Sequence, residues 1–184
     1  MKKIAAFAGS NSKNSINKQL VHYAASLFEN VNVDILDLND FELPLFGVDL
    51  EKESGIPENA HRFFERIKAA DGVLLSLAEH NGAYTAAFKN LFDWVSRIEV
   101  KWFYDNPVML MATAPGGRGG LSVLELAQNR FPRHNAHIVN VFSLPFFKDN
   151  FKDGKLVNPD YDLQLKQAIK QFEKTITDGN TTHR

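Results

Sequence analysis

The sequence predicts a doubly wound α/β domain: a five-stranded parallel sheet with helices packed on both faces. Short apolar runs alternate five times with segments whose apolar residues recur at helical spacing. The first run, 4–8, is continuously apolar, as a strand covered on both faces requires. Such alternation calls for parallel strands joined by right-handed helical crossovers. In that architecture ligands bind beyond the carboxyl ends of the strands, and the loops after strands one, three and four carry this chain's unusual residues.

The elements follow in order. After the strand at 4–8, Ile16, Leu20, Ala24, Leu27 and Phe28 mark a helix that Ser15 or Asn17 can cap. Residues 31–36, rich in β-branched side chains, form the second strand. A long connection, 37–57, holds Phe41, Leu43, Pro44, Leu45 and Phe46. So many large apolar groups predict packing on the protein's own core or on a partner subunit. Pro57 opens a helix through Phe63, Phe64 and Ile67, and 72–77 is the third strand. A helix over 83–98 presents Ala87, Phe88, Leu91, Phe92 and Val95 on one face. Strand four is expected at 108–112, a helix at 121–131, strand five at 138–142 and a closing helix at 163–176. Residues 177–184 read as a frayed tail of one domain spanning 1–184.

At 184 residues, 44% hydrophobic and 23% charged, the chain has the composition of a soluble globular domain. Lys plus Arg is 21 and Asp plus Glu is 22, a net charge of −1 with no basic cluster, which argues against a nucleic-acid surface. Cysteine is absent, so disulfides, thiolate metal sites and cysteine nucleophiles are excluded. No segment approaches the ~20 apolar residues that cross a bilayer. A cytoplasmic location, with no membrane or nucleic-acid partner, is the expectation.

Three loops can carry chemistry. In 9–17, the hydroxyls of Ser10, Ser12 and Ser15, the Asn17 amide, the Lys13 cation and the N–H groups opening the helix at Ile16 suit a phosphate. Neither the P-loop nor the dinucleotide glycine pattern is present, and a plain capped turn is the competing reading. In 78–84, backbone groups of Glu79, His80 and Asn81 can meet the edge of a flat heterocycle, and Gly82 permits close approach. The rivals are a Glu79–His80 acid/base pair of a hydrolase, which lacks a serine elbow, and a solvated loop. In 115–120, Pro115, Gly116, Gly117 and Gly120 leave room for a ring to lie against the backbone, and Arg118 is a candidate contact for the phosphate of a nicotinamide cofactor. A phosphate at the first loop and a flat ring at the second describe bound flavin mononucleotide (FMN). The histidines at 134 and 137 have no nearby carboxylate and predict no metal site. Trp94 reads as core or interface, and Trp102 and Phe103 as a hydrophobic plug.

With these residues in view, the chain resembles the NADPH-dependent FMN reductases, a flavodoxin-like family that includes bacterial quinone, azo-dye and chromate reductases. The family's first motif, about G-S-x-R-x-x-S-x-N, is matched in register by Gly9, Ser10, Ser15 and Asn17, with Ser12 in place of the arginine and Lys13 beside it. Its second, about P-E-Y-N followed by L-K-N-x-x-D-W-x-S-R, is matched by Ala78-Glu79-His80-Asn81 and then Phe88-Lys89-Asn90-Leu91-Phe92-Asp93-Trp94-Val95-Ser96-Arg97. The resemblance implies sheet order 2-1-3-4-5. It also implies FMN as cofactor, NADPH or NADH as hydride donor, and a quinone, azo compound or free flavin as acceptor. No catalytic side chain is implied, because the flavin carries the chemistry. A homodimer or homotetramer is implied, with 41–46 and the Trp94 helix as candidate contacts. The alternative is a flavodoxin-type electron carrier without NAD(P)H activity of its own.

Overall fold

The computed structural model describes residues 1–179. Its main sheet has the strands β1 (Lys2–Gly9), β2 (Val31–Leu36), β3 (Gly72–Leu77), β6 (Pro107–Thr113) and β7 (His137–Leu144), all parallel, in the order β2-β1-β3-β6-β7. Counted within the sheet, that is 2-1-3-4-5, as the resemblance implies. Central strands β1, β3 and β6 are buried along nearly their whole length, whereas the edge strands β2 and β7 are only partly covered. This is why the central strands read as continuous apolar runs.

Side chains alternate between two cores, as strand geometry dictates. Ala5, Phe7, Leu75 and Leu110 face helices α3 (Glu58–Lys68), α4 (Ala86–Ile98) and α5 (Leu121–Arg130). Ile4, Ala6, Leu74 and Met109 face α1 (Ile16–Ala25) and α7 (Pro159–Asp178). Trp94, Trp102 and Phe103 are buried, the last two stacked at 3.9 Å, so they are core and plug as expected.

The connection 37–57 is more ordered than expected. It contains a 3-10 turn, Leu38–Phe41, and a short helix α2 (Val48–Ser54). Phe41 is buried edge-on to Phe63 at 5.3 Å, and Phe46 meets Trp94 edge-on at 5.0 Å. The α4 motif residues hold the segment's backbone. Asn90 Oδ1 accepts from the Phe46 amide at 2.8 Å, its Nδ2 donates to Pro44 O at 3.0 Å, and Trp94 Nε1 donates to the same carbonyl at 2.8 Å. The segment therefore packs on its own core. Leu45 is thrust outward, 81% exposed, and Val48 is exposed as well.

Three further elements differ from expectation. The helix expected from 83 begins at Ala86, because 79–84 folds as a hairpin of β4 (Glu79–His80) and β5 (Ala83–Tyr84). Asn81 and Gly82, at φ 52° and 76°, form its turn, the Asn-Gly pair that primed hairpin turns favour. After β7, a short helix α6 (Phe147–Asn150) and a hairpin of β8 (Phe151–Lys152) and β9 (Lys155–Leu156) precede α7. Helix α7 starts at Pro159, capped by Asn158, and runs through Asp178. Thr177 and Asp178 are thus helical rather than tail, and 180–184 lie outside the described residues.

Candidate active site

The loop after β1 is a scaffold for helix α1. Ser15 caps the helix, its Oγ accepting from the Lys18 amide at 3.2 Å, while Ser10 Oγ accepts from the Ser12 amide at 3.2 Å. The first-turn N–H groups of Ile16 and Asn17 have no partner within a helix and point out of its positive end. Ser12 and Lys13 are exposed beside them, and Lys18 is paired with Asp37. Asn17 differs from expectation in its side chain, which is buried and turned inward. Its Oδ1 accepts from Ser76 Oγ at 2.8 Å and from the Thr113 amide at 3.0 Å, and its Nδ2 donates to Thr113 O at 3.1 Å. The side chain thereby fastens the loop at 9–17 to the ends of β3 and β6, and only its backbone N–H is left to a ligand.

Facing this loop is the 79–84 hairpin. His80, Asn81 and Gly82 are exposed along it. Thr85 pins its base: one buried hydroxyl donates to Gly9 O at 2.8 Å and accepts from the Phe88 amide at 3.1 Å, capping α4. Glu79 Oε2 accepts from the Val123 amide at 2.9 Å, so its carboxylate is engaged by helix α5 rather than paired with His80. The acid/base reading of that pair fails on this geometry. Behind the hairpin, Tyr84 packs among Phe88 at 5.4 Å and Phe131 at 6.0 Å, and burial pushes its hydroxyl pKa up.

The glycine-rich loop after β6 forms the other wall. It is bound to the end of β7: Phe146 N donates to Gly116 O at 3.2 Å, Phe147 N to Ala114 O at 3.2 Å, and Ser143 Oγ to Gly119 O at 3.0 Å. Gly119, at φ 58°, has no room for a side chain, since a Cβ would lie 2.4 Å from Ser143 Oγ and 2.9 Å from Pro145 N. A Cβ on Gly117 would lie 2.8 Å from the Phe146 ring, but on Gly116 it would meet nothing within 4 Å. Pro115, Gly116, Gly117 and Arg118 are exposed, Gly120 is buried at the start of α5, and Arg118 Nη2 reaches Ser122 Oγ at 3.2 Å. The exposed backbone at 115–117 is therefore a ledge, open at Gly116 and flanked by the Phe146 ring at Gly117.

All three loops gather at the carboxyl end of the sheet, and their chemistry is complementary. One end offers amide and hydroxyl donors at a helix start; the other offers two exposed loops, one turning at Asn81-Gly82 and one rich in glycine. Among the described residues no cluster of His, Cys, Asp or Glu suits a metal ion. A cavity of about 480 Å³ opens beside Asn11, bounded by Phe41, Pro44, Ala87 and Asn90.

The family model of the NADPH-dependent FMN reductases matches residues 2–149, most of the chain. The chain belongs to that family. It is 31% identical over 180 residues to the "Probable NADPH:quinone oxidoreductase 1" of Oryza sativa subsp. japonica, covering 92% of this chain and 87% of the relative. Over 96 residues it is 40% identical to the 2-hydroxy-1,4-benzoquinone reductase of a Burkholderia species, covering 52% of this chain and 50% of the relative. Among solved structures, the NAD(P)H:acceptor oxidoreductase FerB of Paracoccus denitrificans has the same fold, with a TM-score of 0.77 at 24% identity, covering 97% of this chain and 98% of that one.

The chain is thus a flavodoxin-like oxidoreductase with FMN as cofactor and NADPH as reductant. The donor set fits FMN. The α1 start supplies uncommitted amides to a phosphate, and the Gly116 ledge, where a Cβ meets nothing, leaves space for a ring. Ser76, Thr85, Thr113, Ser143 and Phe146 were not legible as part of the candidate site, because each acts by holding another residue: Ser76 and Thr113 the Asn17 side chain, Thr85 the Gly9 carbonyl, and Ser143 and Phe146 the glycine-rich loop. The Asn81-Gly82 pair did carry a signal, that of a hairpin.

Proposed function

We propose that this chain, as a single FMN-binding domain, reduces quinone- or azo-type acceptors by two electrons at the expense of NAD(P)H. The carrying observation is that a helix start with first-turn amides unpaired among the described residues and two loops of exposed backbone, 80–82 and 115–117, lie at one end of the sheet. The acceptor class is supported by relatives named for quinone and azo reduction. Bound FMN supplies hydride acceptance and return. In this reading the amides of Ile16 and Asn17, with Ser10, Ser12, Ser15 and Lys13, hold the phosphate. Backbone groups of Glu79, His80, Asn81 and Gly82 meet one edge of the ring, and Pro115, Gly116, Gly117 and Gly120 shape the ledge beneath it. Arg118, exposed at the rim, meets the nicotinamide cofactor. No side chain moves a proton; the residues bind and orient.

We further read the chain as a cytoplasmic homodimer or homotetramer. Leu45 supports the assembly, since Asn90 and Trp94 hold its neighbours rigidly while its apolar side chain faces outward, close in sequence to the exposed Val48. Size-exclusion chromatography at micromolar concentration should show the oligomer, and Leu45→Glu should shift it toward monomer.

The deciding experiment is a visible spectrum of protein saturated with FMN and desalted, taken before and after anaerobic NADPH. Retained flavin bands that bleach support the proposal. Retained bands that stay coloured indicate an electron carrier, and absence of flavin means the loop at 9–17 is not its phosphate site.

A further inference from the structure

Glu79 stands where the two walls of the site meet. Its backbone belongs to the hairpin, while its carboxylate crosses 44 residues of sequence to the Val123 amide in the first turn of α5. That helix lacks a cap of its own. Its N-cap is Gly120, at φ 81° and without a side-chain bond, and its first turn contains no acidic residue. The Glu79 carboxylate satisfies one of the first-turn donors and opposes the positive end of the helix dipole. Because α5 follows directly from the glycine-rich loop, one side chain ties hairpin to ledge. It also places a fixed negative charge between them.

We propose that Glu79 is a positioning residue of the flavin site, clamping the two walls at the spacing that admits the ring and holding down the reduction potential of bound FMN by its charge. The inference rests on the FMN reading above. Reduction adds electron density to the ring, and a neighbouring carboxylate opposes that gain where a neutral amide does not. Clamp and charge can be separated. Glu79→Gln keeps an acceptor oxygen for the Val123 amide and removes the charge, while Glu79→Ala removes both.

Three readouts on the full chain test the proposal: hydrogen exchange of the Val123 amide without FMN, FMN affinity by fluorescence quenching, and the midpoint potential of bound FMN. Glu79→Ala is expected to speed Val123 exchange and weaken FMN binding, each about tenfold. Glu79→Gln is expected to leave both near wild type. It should raise the preference for reduced over oxidised FMN about tenfold, read as about 30 mV in a two-electron couple. Unchanged exchange in Glu79→Ala overturns the clamp, and an unchanged potential in Glu79→Gln overturns the charge role. Should Glu79→Ala not fold, the Gln variant still decides the second point. If wild-type protein takes up no FMN, the functional reading and the charge role fall together, and Val123 exchange in the FMN-free chain alone decides the clamp.

Discussion

On the proposed reading the loop at 9–17 and the ledge at 115–120 face the same ligand, yet the two are built in opposite ways. In the first, the exposed Ser12 and Lys13 side chains lie beside the helix start, next to a few free amides. In the second, the surface offered is bare backbone, and the side chains that shape it sit elsewhere, at Ser143, Phe146 and Glu79. A substitution at the exposed Ser12 or Lys13 of the first loop should therefore act mainly on the ligand. At the ledge it should act first on the fold, and on the ligand only through it.

The sharpest way to break this contrast is at Gly119. An added Cβ would approach the Pro145 amide nitrogen to 2.9 Å and the Leu144 carbonyl carbon to 3.1 Å, in a backbone conformation at φ 58° that already disfavours side chains. Gly119→Ala should lower unfolding stability by about 4 kcal/mol in urea titration, combining overpacking and left-handed strain. A loss under 1 kcal/mol would show that the ledge yields easily and is not held by β7.

Asn17 and Ser12 test the contrast within one loop. Asn17→Ala strands the Ser76 hydroxyl and the Thr113 amide in the interior, so stability should fall by about 3 kcal/mol. Ser12→Ala, at an exposed position, should leave the urea midpoint unchanged and weaken FMN binding about fivefold, the worth of one hydrogen bond. Equal effects of the two on stability would erase the distinction between scaffold and ligand side chains.

His134 provides a pH handle on the packing behind the hairpin. It is buried against Phe92 at 4.7 Å, with Nδ1 2.6 Å from Val100 O and Nε2 without a partner among the described residues. Burial holds its pKa below the ordinary imidazole value of 6.5. The unfolded chain therefore binds a proton more readily. The stability this residue contributes is complete above pH 6.5 and is lost as pH falls toward the folded-state value. The slope is at most about 1.4 kcal/mol per pH unit. Urea midpoints at pH 7.5 and 5.5 should fall with pH in wild type, and less so in His134→Gln. An equal fall in both would place the acid sensitivity elsewhere.

The same contrast explains what could be read from the sequence. The sheet was legible because β1, β3 and β6 are covered on both faces and must be apolar throughout. Ser15 as a cap, the helix-start amides and the α4 motif were legible because local chemistry fixes them within a few residues. The inward turn of Asn17 was not, since a buried amide and a ligand-binding one look alike until the ends of β3 and β6 close around it. Nor was the role of Lys89 to Arg97, where Asn90 and Trp94 hold the backbone of Pro44 and Phe46. The structure starts α4 three residues later than the sequence predicts, because Ala83 and Tyr84 pair with His80 and Glu79 across the Asn81-Gly82 turn, a pairing that helical apolar spacing does not reveal. Backbone sites conceal their supports, which lie on other strands.

Arg118 should give the smallest effect on the fold and the most selective effect on function. Its guanidinium is exposed at the rim of the ledge, and its hydrogen bond to Ser122 Oγ at 3.2 Å lies on the surface. Arg118→Ala should change stability by less than about 0.5 kcal/mol. Guanidinium groups recognise phosphates through charge-assisted paired hydrogen bonds. Loss of such a contact should raise KM for NADPH more than KM for NADH, with kcat little changed, because the interaction binds ground and transition states alike. An equal rise for the two cofactors would assign Arg118 to the pyrophosphate they share. No rise for either would confine it to the surface.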